Sequence, residues 1–349
     1  MKSILLFLLF SGIAPAQLTP ATGDDFTIAV YNDTHVARSF SDWTNAVDWL
    51  VGSNGRGPNG QPAIAYWNIK AVAGAGDYVS PGGDDCNALN WATAVSSFQR
   101  IFNLGLPGVW PQGNHDYCAQ YTNLFGGLPG VTYGDSVTLQ ASTWNVSTNS
   151  GMVRLGMIGA GTADDMALGQ PSRIWADGVL SSSEPDRQWI FIRHVGTYAP
   201  YGNPGPYVYP AVKPEHNDDG WCADGAQCAG FSGTNFGTAL RDNFYAKESK
   251  VFWGVHGHNG YVAMNSLKAN DGHVVNVTGN LGASGGTPGW ITLLKFRPSH
   301  NDIQVAVYLS YDGPSGSLYA GPYTWAWTRH SSLHSTPGHP ANPKKRGRL

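Results

Sequence analysis

Five short apolar runs in this chain each lead into a cluster of polar residues of metal-ligating types. The runs have the length and apolarity of buried strands, and FTIAVY at residues 26–31 is the clearest example. The clusters that follow them are Asp33-Thr34-His35, Gly76-Asp77, Gly113-Asn114-His115-Asp116, His194 and His256-Gly257-His258. Because ligands collect outside the carboxyl ends of the strands in open α/β sheets, we expect all five clusters to meet at one site.

The residue types in these clusters indicate a metal site without thiolates. Carboxylate oxygens, an amide oxygen and imidazole nitrogens are ligands for zinc, manganese or iron. Asp33 with His35, and His256 with His258, are spaced i, i+2, so in extended backbone both members of each pair would point the same way. Seven candidate ligands remain if one histidine is reserved for proton transfer and Asp116 is not counted. That number is too large for one tetrahedral zinc and suits two ions that share a carboxylate.

The order of elements along the chain predicts an α/β fold. Helical patterns lie at residues 41–51 and 87–104, and strand patterns at 26–31, 69–75, 152–158, 189–193 and 251–254. In the second helical pattern, Trp91, Val95, Phe98 and Phe102 lie at helical spacing, on one face. From Tyr261 onward, strand patterns such as VVNVT, WITLLKF and IQVAVYLSY follow one another without a helix between them. Strands that alternate with helices and then run consecutively predict an α/β core completed by antiparallel strands.

The motifs D-T-H, G-D, G-N-H-D, a strand-end His and H-G-H, in this order, resemble those of the calcineurin-like metallophosphoesterases. The resemblance extends from Phe26 to His258, and G-N-H-D and H-G-H are its more specific parts. It implies the family's fold, a two-sheet β-sandwich flanked by helices, which the later strands would complete. We therefore expect an α/β protein of this architecture.

The resemblance also implies a role for each polar residue. The ligands of one divalent ion would be Asp33, His35 and His258. The ligands of the second ion would be Asn114, His194 and His256, and Asp77 would bridge the two ions. His115 would be the acid that protonates the leaving group, with Asp116 beside it as an orienting group.

Two positions depart from the usual family pattern. Val255 stands where a glycine usually precedes the first histidine of the last motif, a change that removes no ligand. Ser80 stands where purple acid phosphatases, a branch of the family, carry an iron-binding tyrosine, and His35 stands where they carry a glycine. We therefore expect a phosphoesterase without the charge-transfer colour of that branch.

These roles predict hydrolysis of phosphate monoesters or diesters. Two neighbouring divalent ions lower the pKa of a shared water and yield hydroxide at neutral pH, and they also neutralise charge on the phosphoryl oxygens. His115 would then donate a proton to the departing alkoxide. The metal-binding residues, through their ions, would bind the phosphate group of a substrate and not the groups esterified to it. The substrate is therefore left open within the class of small-molecule or lipid phosphate esters.

Two other classes of function agree with part of the pattern. A metal-dependent hydrolase of a non-phosphate substrate would use similar ligands, but amidohydrolase-type sites place H-x-H on an early strand, whereas here it comes late. A secreted binding protein on a non-catalytic phosphoesterase scaffold would usually have lost ligands, and none is missing from these motifs. Hydrolysis of a chromogenic phosphate monoester and diester with added manganese would separate the classes.

The N-terminus predicts export. Residues 1–16 combine Lys2, an apolar run over residues 4–13 and an A-x-A site, the features of a cleaved signal peptide that is too short to span a bilayer. We therefore expect a secreted or periplasmic protein without a membrane span. The chain carries 21 Lys and Arg against 24 Asp and Glu, a balance that does not favour binding to nucleic acid.

A single phosphoesterase domain is expected over residues 17–330. Its Gly/Pro/Tyr-rich insertion at 197–235 is too long for an ordinary connection and is either a wall of the site or a stabilising flap. Residues 331–349 form a basic tail that we expect to be disordered. In an exported chain the four cysteines favour disulfides, of which Cys222–Cys228 and Cys86–Cys118 are the expected pairs among three possible connectivities. The oligomeric state is not indicated by the sequence.

Overall fold

The computed structural model describes two packed β-sheets with helices on their outer faces. It describes residues 17–79, 86–162, 164, 166, 168–194, 244–245, 247–257 and 288–327, and the backbone alone at 207–209, 263–268 and 274–279. The predictions for the signal peptide, the Cys222–Cys228 pair, most of the insertion and the basic tail lie outside the described residues.

The elements follow the order expected from the sequence. The strands are β1 (Phe26–Tyr31), β2 (Ile69–Gly74), β3 (Val131–Tyr133), β4 (Gln140–Thr148), β5 (Gly151–Ala160), β6 (Gln188–Arg193), β7 (Tyr207–Tyr209), β8 (Val251–His256), β9 (Ala263–Lys268), β10 (Val274–Gly279), β11 (Trp290–Arg297), β12 (Asp302–Leu309) and β13 (Ser317–Ala326). The α-helices are α1 (Phe40–Val51), α2 (Ala63–Tyr66), α3 (Ala88–Phe102), α4 (Ala119–Phe125) and α5 (Pro171–Ser182). The strands and helices predicted from the sequence are thus confirmed, except for the strand expected before the G-N-H-D motif.

The two sheets combine parallel and antiparallel pairs. The first has the order β13-β12-β11-β1-β2, in which β1 and β2 are parallel and the late strands β11 to β13 are antiparallel. The second has the order β3-β4-β5-β6-β8-β10-β9-β7, with β5, β6, β8 and β10 mutually parallel. The carboxyl ends of the parallel strands within each sheet therefore lie at one edge, where the polar clusters follow them.

The main core lies between the two sheets. Phe26, Ile28 and Val30 of β1 point into it and pack in one cluster with Met157 of β5 and Ile190 of β6, all of them fully buried. The intervening β1 residues are also buried, because helices cover the outer face of the first sheet. Burial on both faces explains why β1 is a continuous apolar run and not an alternating one.

Helix α3 covers the first sheet with a face slightly different from the predicted one. Trp91 and Phe98 are buried as expected, and the Phe98 ring lies 4.9 Å from that of Trp43 on α1. Val95, however, is 40% exposed, so its assignment to the buried face is wrong. The buried residues of α3 are Trp91, Ala94, Ser97, Phe98 and Ile101, so at 3.6 residues per turn the buried face is centred near Ala94, and Val95 lies to one side of it. Among the described residues, no helix combines the length and apolarity needed to cross a bilayer.

Candidate metal centre

The loop after β1 leaves the extended conformation, which corrects one step of the sequence analysis. Asp33 and His35 have φ angles of 40° and 35°, in the left-handed region that non-glycine residues seldom adopt. The D-T-H segment is an irregular loop and not extended, so the expectation of extended backbone at Asp33 and His35 is wrong. The His35 amide donates to the Asp77 carbonyl at 2.8 Å, and the Val36 amide to that of Tyr78 at 2.9 Å. These bonds hold the strained loop against the G-D motif.

Asp77 lies at the centre of the polar cluster. Its Oδ2 atom is 3.0 Å from Nε2 of His194, 3.6 Å from Nε2 of His35 and 3.8 Å from Nε2 of His115. Its Oδ1 atom accepts a hydrogen bond of 2.9 Å from the amide of His115. Burial alone would raise the pKa of Asp77, but the three histidines outweigh it and hold the pKa well below its usual range. One buried carboxylate thus faces three imidazoles, and its bridging role stays a prediction.

His194 contacts the carboxylates of Asp33 and Asp77 and the side-chain amide of Asn114. The imidazole is fully buried, with Nδ1 3.0 Å from Oδ1 of Asp33 and 2.8 Å from the carbonyl oxygen of Ala75. Its Nε2 is 2.9 Å from Oδ1 of Asn114. Burial alone would lower the pKa of His194, but the carboxylates of Asp77 and Asp33 outweigh it and raise the pKa well above its ordinary value. Buried oxygen atoms, two of them from carboxylates, thus surround one imidazole. Buried negative charge of this kind is stable only with positive charge beside it.

The donor atoms fit a divalent cation. Asp33, Asp77 and His194 are all buried, and each offers one ligand atom within 4.8 Å of the others. Oxygen and imidazole donors suit zinc, manganese or iron. The Ala75 carbonyl beside Nδ1 of His194 is the kind of outer partner that orients a metal-binding histidine through its second nitrogen. The residues present therefore suit a divalent metal ion at this position.

Glycines in two of the motifs make room for these ligands. A Cβ atom on Gly113 would lie 2.1 Å from Oδ1 of Asp77, and one on Gly257 would lie 2.7 Å from Oδ1 of Asp33. Neither position tolerates a side chain unless a ligand moves. The glycines of G-N-H-D and H-G-H are thus explained by the close approach of backbone and ligand.

The G-N-H-D motif does not follow a strand. Residues 105–113 contain no strand, although the amides of Val72 and Gly74 in β2 donate to the carbonyls of Pro107 and Val109, both at 3.0 Å. The expectation of five strand ends is therefore wrong at this motif. The apolar residues of GVWPQ are buried as an irregular segment along the edge of the first sheet, which produces the same sequence pattern as a strand.

Asp116 lies among the loops that carry the other candidate site residues. It is fully buried, and its carboxylate accepts hydrogen bonds of 2.9 Å from the amides of Tyr78 and Gly113. Burial and the nearby Asp77 raise the pKa of Asp116 to about 7, while the two amide bonds oppose this effect. Asp116 thus ties the G-N-H-D loop to the segment after β2. Its role in orienting His115 stays a prediction.

His256 lies beside the cluster with a different partner. It ends β8 opposite Arg193 of β6 and is fully buried, and its Nε2 lies 2.8 Å from the hydroxyl of Tyr245. Its Nδ1 makes no hydrogen bond of standard geometry. Burial and the Arg193 guanidinium lower the pKa of His256 to about 3, while an interaction with the Arg193 backbone opposes this effect. His258, the last predicted ligand, lies outside the described residues.

The sequence analysis missed Tyr245 as a contact of this site. Tyr245 belongs to none of the motifs, and it reaches His256 only through the tertiary fold. One signal was available, because Gly254 interrupts an otherwise bulky strand. A glycine inside a strand often marks the close approach of another group.

Cys86 and Cys118 lie next to each other, as the predicted pairing requires. Both are free thiols in this structure. The thiol of Cys86 donates to the carbonyl of Tyr117 at 3.3 Å. Burial and a hydrogen bond with Cys86 raise the pKa of the Cys118 thiol to about 12. The two sulfurs are thus neighbours, and the bond between them stays a prediction.

Similar solved structures share this architecture at low sequence identity. The anchor protein GAP50 of the inner membrane complex of Plasmodium is 12% identical with a TM-score of 0.50, over 88% of this chain and 90% of that one. Purple acid phosphatase PPD1 from yellow lupin (Lupinus luteus) seeds is 14% identical with a TM-score of 0.49, over 86% and 53%. A dimetal phosphatase from Danio rerio is 11% identical with a TM-score of 0.45, over 87% and 99%. These likenesses concern the fold alone.

A family model gives a more specific result. No curated protein matches the chain. The model described as calcineurin-like phosphoesterase, however, matches residues 26–230, which is more than half of the chain and includes every motif but the last. The chain belongs to the calcineurin-like phosphoesterase family.

Proposed function

We propose that this protein is a metal-dependent phosphoesterase that hydrolyses phosphate monoesters or diesters with two divalent ions, drawn from zinc, manganese and iron. The proposal is supported above all by the position of Asp77, whose Oδ2 faces the imidazoles of His194, His35 and His115 within 3.8 Å. A carboxylate so placed, with further oxygen ligands beside it, suits two cations better than one.

The ligands divide into two sets around Asp77. In this proposal one ion is held by Asp33, His35 and His258. The second ion is held by Asn114, His194 and His256. When bound, two such ions activate water for attack and stabilise negative charge on the phosphoryl oxygens.

His115 is proposed as the general acid. Its backbone amide is fixed by Oδ1 of Asp77 at 2.9 Å, and its ring packs edge-on against that of His35 with centroids 5.5 Å apart. The side chain is 12% exposed, so it can reach a substrate while its backbone stays in place. An imidazole held in this way is suited to donate a proton to the departing alkoxide.

Hydrolysis assays test the proposal directly. Protein stripped with a chelator and reloaded with manganese or zinc should hydrolyse a chromogenic phosphate monoester or diester, and the chelator should abolish the activity. His194→Ala should lose the activity at every metal concentration, whereas His300→Ala, at an exposed position, should keep it. Failure to hydrolyse either ester with two ions bound per chain would contradict the proposal.

A non-catalytic scaffold is the second candidate. GAP50, the similar structure with a TM-score of 0.50, is described as an anchor in a membrane complex. This likeness concerns the fold, whereas the clustered ligands of the present chain favour catalysis. Two bound ions without turnover in a broad panel of phosphate esters would favour the scaffold.

We also propose that the protein is exported and acts on a small-molecule or lipid phosphate ester and not on nucleic acid. The signal-peptide pattern of residues 1–16 and the net charge of −3 support this. N-terminal sequencing of the secreted protein should find Gln17 as the first residue. A panel of nucleotides, phospholipids and sugar phosphates would then identify the substrate.

A further inference from the structure

We propose that Tyr245 positions His256 for metal binding by accepting a hydrogen bond from its Nε2–H, which leaves Nδ1 as the nitrogen that binds the second ion. This inference rests on the proposed function, in which His256 is a ligand. It assigns a role to a tyrosine outside all of the sequence motifs.

The contact between the two side chains fixes which nitrogen is available. The Tyr245 hydroxyl lies 2.8 Å from Nε2 of His256, and both residues are buried. A neutral imidazole has one N–H donor and one acceptor nitrogen. If Nε2 carries the proton, Nδ1 presents a lone pair, and this atom is buried without a hydrogen bond of standard geometry. A buried acceptor without a partner is costly, so a cation at Nδ1 would complete the site.

Gly254 provides a second, independent observation. It lies two residues before His256 in β8, so both positions face the same side of the sheet. A Cβ atom on Gly254 would lie 2.2 Å from the Tyr245 hydroxyl and 3.1 Å from Nε2 of His256. Its φ lies outside the left-handed region, so space and not backbone conformation explains the glycine. The absence of a side chain at Gly254 thus leaves room for the Tyr245 hydroxyl beside His256.

The surroundings of Tyr245 hold its ring in place. Its centroid lies 5.8 Å from that of Phe191 on β6 and 5.7 Å from that of Phe244. Aromatic packing of this kind limits the positions of the hydroxyl. Metal-binding histidines generally have such an outer partner on the second nitrogen, which fixes the tautomer and the ring orientation.

Metal affinity tests the inference. Tyr245→Phe removes only the hydroxyl, and its affinity for the second zinc or manganese ion, measured by competition with a chelator, should fall by roughly 10- to 100-fold. Tyr308→Phe is the matched control, because it also removes a buried hydroxyl, which accepts from the Leu18 amide at 3.2 Å. Equal affinity in the two variants, or tighter binding in Tyr245→Phe, would overturn the inference.

The tautomer of His256 can be measured separately. Proton–nitrogen correlation spectra, assigned with His256→Gln, should place the proton on Nε2 in the wild type and on a mixture of both nitrogens in Tyr245→Phe. A proton on Nδ1 in the wild type would mean that the hydroxyl donates and blocks the ligand nitrogen, which also overturns the inference.

A third variant separates this inference from the proposed function. His256→Ala should lose the second ion if His256 is a ligand. If His256→Ala keeps both ions, the proposed ligand set is wrong. If it loses one ion while Tyr245→Phe behaves like Tyr308→Phe, only the role of Tyr245 is wrong.

Discussion

The backbone amide of His115 donates a hydrogen bond of 2.9 Å to Oδ1 of Asp77, while Oδ2 of the same carboxylate faces the imidazole of His194 at 3.0 Å. One side chain therefore fixes the backbone of the proposed acid and also belongs to the proposed metal centre. Changes at Asp77 should consequently disturb both functions. Changes to the imidazole of His115 should disturb only proton transfer.

Asp77→Asn should weaken the binding of both ions. The substitution keeps an oxygen that can accept from the His115 amide but removes the negative charge that the two ions would share. Chelator competition and metal analysis should show that the affinity for each ion falls by more than roughly 100-fold. This is a larger loss than the removal of an outer hydrogen-bond partner of a ligand usually causes. Asn114→Ala is the control, because it should weaken the second ion alone. Two tightly held ions in Asp77→Asn would contradict a bridging role.

Gly113→Ala should destabilise the protein and reduce metal binding. The new Cβ would lie 2.1 Å from Oδ1 of Asp77 and 2.2 Å from its amide nitrogen, so the loop or the ligand must move. We expect the free energy of unfolding to fall by about 1–3 kcal/mol, as for other overpacked sites. Gly178→Ala is the matched control, because Gly178 is exposed within α5 with nothing near its Cβ position. Gly178→Ala should instead raise the free energy of unfolding, measured with denaturant, by about 0.5–1 kcal/mol. Equal stability in both variants would contradict the crowding at Gly113.

The fold was largely predictable because its core strands are buried on both faces. A run such as FTIAVY is apolar throughout, and this pattern indicates a strand covered by a second layer on each side. The segment GVWPQ shows the limit of that inference. Its residues are buried like those of a strand, but they lie along the edge of the sheet without forming one, and apolarity alone does not distinguish the two cases.

The site was predictable where its chemistry lies in local motifs. Asp77 and His194 were identified from the sequence, and both lie in the buried cluster. The left-handed backbone at Asp33 and His35 was not predictable from alternation, because the segment is held by hydrogen bonds that the amides of His35 and Val36 donate to carbonyls of a distant loop. Tyr245 was missed for a related reason, since its contact with His256 depends on how two elements pack and not on spacing in the chain.

Cys86 and Cys118 should be joined in protein purified from an exporting host without reductant. Their thiols are already neighbours, and Cys118 is the N-cap residue of α4, two residues after Asp116 of the G-N-H-D motif. Peptide mapping under non-reducing conditions should recover the linked pair, and reduction should lower the free energy of unfolding by about 3–4 kcal/mol. Cys118→Ser should make stability insensitive to reductant. Two free thiols in the denatured, unreduced protein would contradict the pairing.

Glycosylation in a eukaryotic host should discriminate between two N-x-Ser/Thr sites. Asn145 is exposed on β4, where its Oδ1 accepts from Arg187 at 3.2 Å, so a glycan can be attached. Asn32 is fully buried, and its Nδ2 donates to Thr292 at 3.2 Å. Mass spectrometry should therefore find glycan at Asn145 and none at Asn32, and Asn145→Gln should remove that signal. Glycan on Asn32 of active protein would contradict the placement of β1.

His115→Ala should separate the acid from the ligands. The imidazole is assigned to the leaving group and to neither ion, so the metal content should stay near that of the wild type. Activity should fall by roughly 10²–10⁴-fold, the usual contribution of general acid catalysis. The loss should be greatest for an alkyl phosphate and least for the ester of an acidic phenol, which departs without protonation. If His115→Ala loses metal as His194→Ala does, or slows both esters equally, His115 is not the acid.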